Sequence, residues 1–125
     1  GIDKNTIESY SWYLKSAKQG HAIAQYRVGL QLDNGDGVKQ NVAEAYRWYL
    51  NAGNQEHILA QFNVGVMNEH GDGVKQNFTE AYRWYLKAAE QGASKAQNKI
   101  GVYFHNGLFV ECNPSAVKCR FLIVR

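Results

Sequence analysis

Apolar residues along this chain fall at helical spacing, and the same spacing returns at a fixed interval. From Ala22 to Asp33, the residues Ala24, Val28 and Leu32 recur every fourth position and share one face. From Ala43 to Ala52, a second stripe is formed by Ala45, Tyr49 and Ala52, flanked by Tyr46 and Leu50. No segment shows the two-residue alternation of a half-buried strand. The pattern predicts seven helices, near 5–19, 22–34, 42–54, 57–69, 78–91, 93–105 and 114–123.

Stop and start signals agree with those bounds. Gly35 or Gly37 can adopt the left-handed conformation that ends the helix before it. Asn41 with Glu44, Asn77 with Glu80 and Asn5 with Glu8 have the spacing of a capping box. The single proline, Pro114, follows Asn113 and is expected to open the last helix.

The helix pairs are copies of one another. Trp12, Trp48 and Trp84 are 36 residues apart, as are Ala24, Ala60 and Ala96, and Gly29, Gly65 and Gly101. Gly35 to Asn41 recurs unchanged as Gly71 to Asn77, and Ala45 to Leu50 as Ala81 to Leu86. A period of this size defines a tandem array, whose units bury a continuous core only by stacking. Glycine in mid-helix costs about 1 kcal/mol relative to alanine, so its return at 29, 65 and 101 predicts close helix–helix approach there. The predicted fold is an all-α solenoid, a superhelix of antiparallel helix pairs with about three and a half units of 36 residues. It divides into a leading helix at 5–20, repeats at 21–56 and 57–92, and a degenerate terminal repeat at 93–125, together one domain over 1–125.

Composition narrows the function classes. With 125 residues and 45% hydrophobic content, the chain can bury a modest core and is not disordered throughout. No apolar run approaches the roughly 18 residues of a membrane span. The start, Gly1 to Lys4, lacks the apolar centre of a signal peptide, and the missing initiator Met leaves room for a leader already removed. Fourteen basic and eleven acidic residues give +3, with the signs interspersed. That is unlike the one-sided basic stripe of a nucleic-acid footprint, so no nucleic-acid partner is expected.

Four segments carry a resemblance to a known family: Ala88 to Gly92, Ala24-Gln25 with Val28-Gly29, Gly71 to Val74, and Glu80-Ala81 with Trp84-Tyr85. In these the chain resembles the Sel1-like repeat family, relatives of the tetratricopeptide repeat, over roughly residues 8 to 118. The resemblance implies a superhelical scaffold that holds protein complexes together, in settings that include signalling, endoplasmic-reticulum quality control and bacterial contact with host cells. It implies no catalytic activity and no cofactor. Some cysteine-rich relatives are linked to β-lactam binding, which supplies the alternative of a small-ligand binder or hydrolase. Those relatives carry a disulfide in each repeat, and this chain has only Cys112 and Cys119.

Several positions depart from the pattern. Glu56 stands where Gly20 and Gly92 predict glycine, so that turn should be strained or longer. Phe109 replaces Gly37 and Gly73, and Arg120 stands where tryptophan is due. The apolar end, Phe121 to Val124, either folds back onto the last pair or marks an excerpt from a longer array. Cys112 and Cys119, set on a helix, would lie beyond ordinary disulfide reach, so free thiols are expected there unless the end is irregular.

Candidate chemistry is thin. His21 and His57 are one repeat apart and cannot share a metal, while His70 and His105 lack a matching cluster. The acidic loop from Asp33 has glycine at the third and fifth positions of a would-be calcium site, Gly35 and Gly37. What varies between units is a row on each first helix: Arg27, Asn63 and Lys99; Gln31, Met67 and Tyr103; Asn34, His70 and Asn106. Their steps of three and four place them along one face, the concave one of such a superhelix. Arg, Met and Tyr suit interface cores, so these nine are the expected contact residues for a protein or extended peptide.

Overall fold

The computed structural model describes residues 4–105, 108–113 and 118–123, with side chains through Tyr103. Six helices run in order: α1 (Lys4–Lys18), α2 (Ala22–Asn34), α3 (Val42–Gly53), α4 (Ile58–His70), α5 (Phe78–Glu90) and α6 (Ser94–His105). Each packs on its sequence neighbours, with the tightest pairing of α2 on α3 and of α4 on α5. This is the helical-repeat solenoid that the period predicts.

The expected seventh helix is not formed. An antiparallel strand pair, β1 (Leu108–Asn113) and β2 (Lys118–Ile123), takes its place and lies against α6 and α5. The local composition accounts for the difference. Phe109, Val110, Phe121 and Ile123 are aromatic or β-branched, and Val117, Lys118, Arg120 and Phe121 stand where the preceding unit has Ala81, Tyr82, Trp84 and Tyr85. The register sets Cys112 directly opposite Cys119, so their separation is no longer that of a helix. Pro114, and with it the expected helix start, lies outside the described residues.

Capping follows the sequence in part. The Asn41 and Asn77 side-chain oxygens accept the backbone N–H of Glu44 and Glu80, each at 3.1 Å. The reciprocal half of a capping box is missing because the Asn41 and Asn77 amides donate instead to Leu32 and Asn68 of the preceding helix. Gly35 and Gly71 end α2 and α4 in the left-handed region, with φ of 72° and 75°. Glu56 is also left-handed at φ 68°, matching the glycines it replaces, at a backbone cost of about 1–2 kcal/mol. Its carboxylate accepts from Gln61 and Gln91, at 3.4 and 3.3 Å, which helps to hold the turn.

Close approach at the mid-helix glycines holds twice. A Cβ placed on Gly29 would lie 2.6 Å from the Tyr49 ring, and one on Gly65 would lie 2.6 Å from the Tyr85 ring. Gly101 differs: no described atom lies within 4 Å of the same position. A ladder of glutamines ties successive units together. Gln25, Gln61 and Gln97 donate to the carbonyls of Ala17, Gly53 and Ala89, which are themselves repeat equivalents. These bonds explain how Gln25 and Gln61 can be buried. The tryptophans are buried progressively along the array: Trp12 is 71% exposed, Trp48 is half-buried, and Trp84 is 6% exposed against Gly53.

Candidate interaction surface

The first helices of the pairs, α2, α4 and α6, form a contiguous face. The Tyr26 ring of α2 lies 4.6 Å from that of His57, which caps α4 by accepting the Ala60 amide. Burial and then the nearby Arg27 charge hold His57 below the usual histidine range. Between α4 and α6 lies a shallow pocket of about 360 Å³, lined by Phe62, Lys95, Asn98, Lys99 and Val102.

Behind this face stand two equivalent polar nodes. In the first, the Tyr49 hydroxyl of α3 donates to Asp33 at 3.3 Å, and Asn63 also bonds that hydroxyl. In the second, Glu69 collects three donors: Tyr85 at 2.7 Å, Tyr103 at 2.9 Å and Lys99 at 3.0 Å. Desolvation pushes the Glu69 carboxyl upward, but the bonds from Tyr85, Lys99 and Tyr103 outweigh it and leave its pKa below the ordinary value. Tyr49, Tyr85 and Tyr103 are all pushed well above the ordinary phenol range, first by burial and then by the adjoining carboxylates.

The nine residues expected to contact a partner do not behave as one row. Arg27, Asn34 and His70 are exposed, and Gln31, Asn63 and Lys99 are half-buried. Met67, at 5% exposure, belongs to the core, and Tyr103, at 4%, is held against Glu69. These two therefore present no side chain to solvent, because their row turns toward the tyrosines of the second helices. Asn106 lies outside the described residues. Sequence variation between units marked positions that differ, and differing core packing was counted with differing surface.

Three apolar residues of this face were missed. Ile23 (68% exposed), Leu59 (57%) and Val102 (51%) stand on the first helices without covering partners. Ile23 and Leu59 are repeat equivalents just before the buried Ala24 and Ala60. Their signal was an apolar side chain repeated outside the four-residue packing stripe. Among the described residues, no helix is long and apolar enough to cross a membrane.

Helix pairs stacked at a constant period, with a continuous face on the first helices, define an α-solenoid repeat protein. The Sel1 repeat matches residues 1–21, 22–57, 58–92 and 94–116, and the chain belongs to the Sel1-repeat family. It is similar to a Sel1 repeat protein from Oxalobacter formigenes, with 39% identity and a TM-score of 0.80 over 86% of this chain and 44% of that one. It is also similar to c5321, a protective antigen of uropathogenic Escherichia coli strains with an SLR fold. That match has 36% identity and a TM-score of 0.77 over 78% of this chain and 21% of the antigen. Helicobacter pylori cysteine-rich protein B shares the fold, with a TM-score of 0.69 at 21% identity over 72% of this chain and 68% of that one. The chain thus spans less than half the length of the first two relatives. A comparison with curated proteins gives no match. Sel1-repeat folds are generally protein-interaction scaffolds and typically non-catalytic.

Proposed function

We propose that this chain is an adaptor that presents the face of α2, α4 and α6 to a segment of a partner protein. The observation that supports this most is the exposure of Ile23, Leu59 and Val102 on that face, each with more than half of its surface open to solvent. Exposed apolar groups repeated along one set of helices, with Arg27 and Lys99 on the same helices, are what a binding surface requires and a merely solvated one does not. A rigid repeat array also loses little conformational freedom on binding, which preserves affinity for a flexible partner.

The test is selection of a displayed peptide library on the wild-type chain, followed by binding to the Ile23→Asp/Leu59→Asp double variant. Both positions are exposed, so helical circular dichroism and thermal midpoint should hold. The selected peptides should lose at least tenfold in affinity. Undiminished binding by the folded double variant would place the partner elsewhere and overturn this reading.

A further inference from the structure

The charges of the first helices reveal what kind of segment fits them. Across α2, α4 and α6 there are three Lys or Arg residues, Arg27, Lys95 and Lys99, and two carboxylates, Asp33 and Glu69. Both carboxylates are already engaged from within: Asp33 by the Tyr49 hydroxyl, and Glu69 by Tyr85, Tyr103 and Lys99. Neither Arg27 nor Lys95 forms an ion pair among the described residues. Lys99 gives one contact to Glu69 and keeps two further N–H donors. On the second helices, Arg83 of α5 is answered by Glu80 at 2.7 Å, while Arg47 and Lys87 form no ion pair among the described residues. In the pocket between α4 and α6, two of the first-helix cations, Lys95 and Lys99, stand beside the apolar side chains of Phe62 and Val102.

Resting on the adaptor reading above, we propose that the partner segment is an acidic–apolar peptide. One of its apolar side chains enters the pocket over Phe62 and Val102, and an adjacent Asp or Glu carboxylate meets Lys95 and the free donors of Lys99. Complementary charge gives orientation and excludes basic segments, while the apolar contact supplies most of the affinity. A nucleic acid would satisfy the cations but not the exposed Ile23, Leu59 and Val102, and two unpaired cations make a poor track for a phosphate backbone.

The experiment measures fluorescence anisotropy of labelled peptides with one apolar spacing and three kinds of intervening residue: Asp/Glu, Asn/Gln or Lys/Arg. A single-stranded oligonucleotide serves as competitor. Acidic peptides should bind at least tenfold more tightly than neutral ones and weaken severalfold as salt rises from about 0.05 to 0.3 M. Lys95→Glu should remove that preference, whereas Lys39→Glu, in an exposed loop, should not. Equal or better binding of neutral or basic peptides would overturn the charge assignment while leaving the adaptor reading intact. An acidic preference that survives in folded Lys95→Glu would overturn the placement, and displacement by the oligonucleotide at lower concentration would overturn the ligand class. Failure of every peptide set to bind would overturn both this proposal and the reading beneath it.

Discussion

Two copies of one polar node sit 36 residues apart in this chain, and they are wired differently. At Asp33 the short carboxylate meets Tyr49 at 3.3 Å, with Asn63 as a second partner for the same hydroxyl. At Glu69 the side chain is one methylene longer and reaches three donors between 2.7 and 3.0 Å. Both tyrosines that anchor the nodes, Tyr49 and Tyr85, are fully buried against a mid-helix glycine. Shape is therefore kept from unit to unit while polar wiring is free to vary. The longer acid joins α4, α5 and α6; the shorter one chiefly joins α2 to α3.

The comparison is broken most directly by removing each acid. Glu69→Ala leaves the buried Tyr85 hydroxyl without its carboxylate partner and removes the bonds from Tyr103 and Lys99 as well. An unsatisfied buried hydroxyl and the lost charge-assisted bonds should together cost about 2–4 kcal/mol in denaturant unfolding. Asp33→Ala should cost only about 1 kcal/mol, because it removes one bond of 3.3 Å rather than three shorter ones. Equal losses would show that the second and third partners at Glu69, Tyr103 and Lys99, contribute nothing.

Next comes the shared shape. Gly29→Ala and Gly65→Ala each press a methyl into a buried tyrosine ring at 2.6 Å. The overpacking, about 1–3 kcal/mol, should outweigh the ~1 kcal/mol gain in helix propensity, giving net destabilisation at both nodes. Gly101→Ala meets no described atom and should stabilise by up to about 1 kcal/mol. Thermal midpoints of the three variants check this, and a loss at all three would mean that position 101 is packed like the others.

The pH dependence separates the nodes without changing their shape. The folded-state pKa of Glu69 lies below its ordinary value, so its contribution is present above the usual glutamate range and is lost as pH falls through the folded value. Glu69→Gln should flatten that acid limb of the stability curve. Tyr49, Tyr85 and Tyr103 have raised values, so their contribution holds below the ordinary value of 10.0 and is lost as pH rises beyond it. Unfolding should therefore steepen above pH 10 in the wild type and in Glu69→Gln alike, although the variant loses its carboxylate's share of the Tyr85 and Tyr103 shifts. An unchanged acid limb in the variant would mean that Glu69 does not govern it.

Much of this was legible in the repeat itself. A single period sets six helix positions, the Asn41 and Asn77 caps and the Gly29–Tyr49 contact, because each is a local or nearest-neighbour property. The end of the chain was not legible by the same rule. Phe109, Val110 and Phe121 to Ile123 break the repeat, so no sister unit indicates how this segment pairs. Exposure along the first helices was half legible. Variation between units singles out positions on the first helices, but it cannot distinguish Arg27 on the surface from Met67 in the core. Ile23 and Leu59 recur as apolar residues, so a search for variation passed over them. The glutamine ladder was visible only as a repeated letter, since nothing local says that Gln61 will reach the carbonyl of Gly53.

The smallest expected effects test whether reach alone separates the nodes. Glu69→Asp withdraws the carboxylate by one methylene, so it cannot hold Tyr85, Tyr103 and Lys99 together; it should lose about 1 kcal/mol. Asp33→Glu adds the same methylene to the other node, where Asn63 and Met67 occupy the places of Lys99 and Tyr103. The longer acid finds no additional donors there, and stability should change by less than about 0.5 kcal/mol. A double-mutant cycle of Glu69→Asp with Tyr103→Phe should show coupling, whereas Asp33→Glu with Tyr103→Phe should be additive. If Asp33→Glu stabilised the chain as much as Glu69→Asp weakened it, carboxylate length by itself would matter. The repeat-specific partners at 99 and 103 would then be incidental to the difference between the nodes.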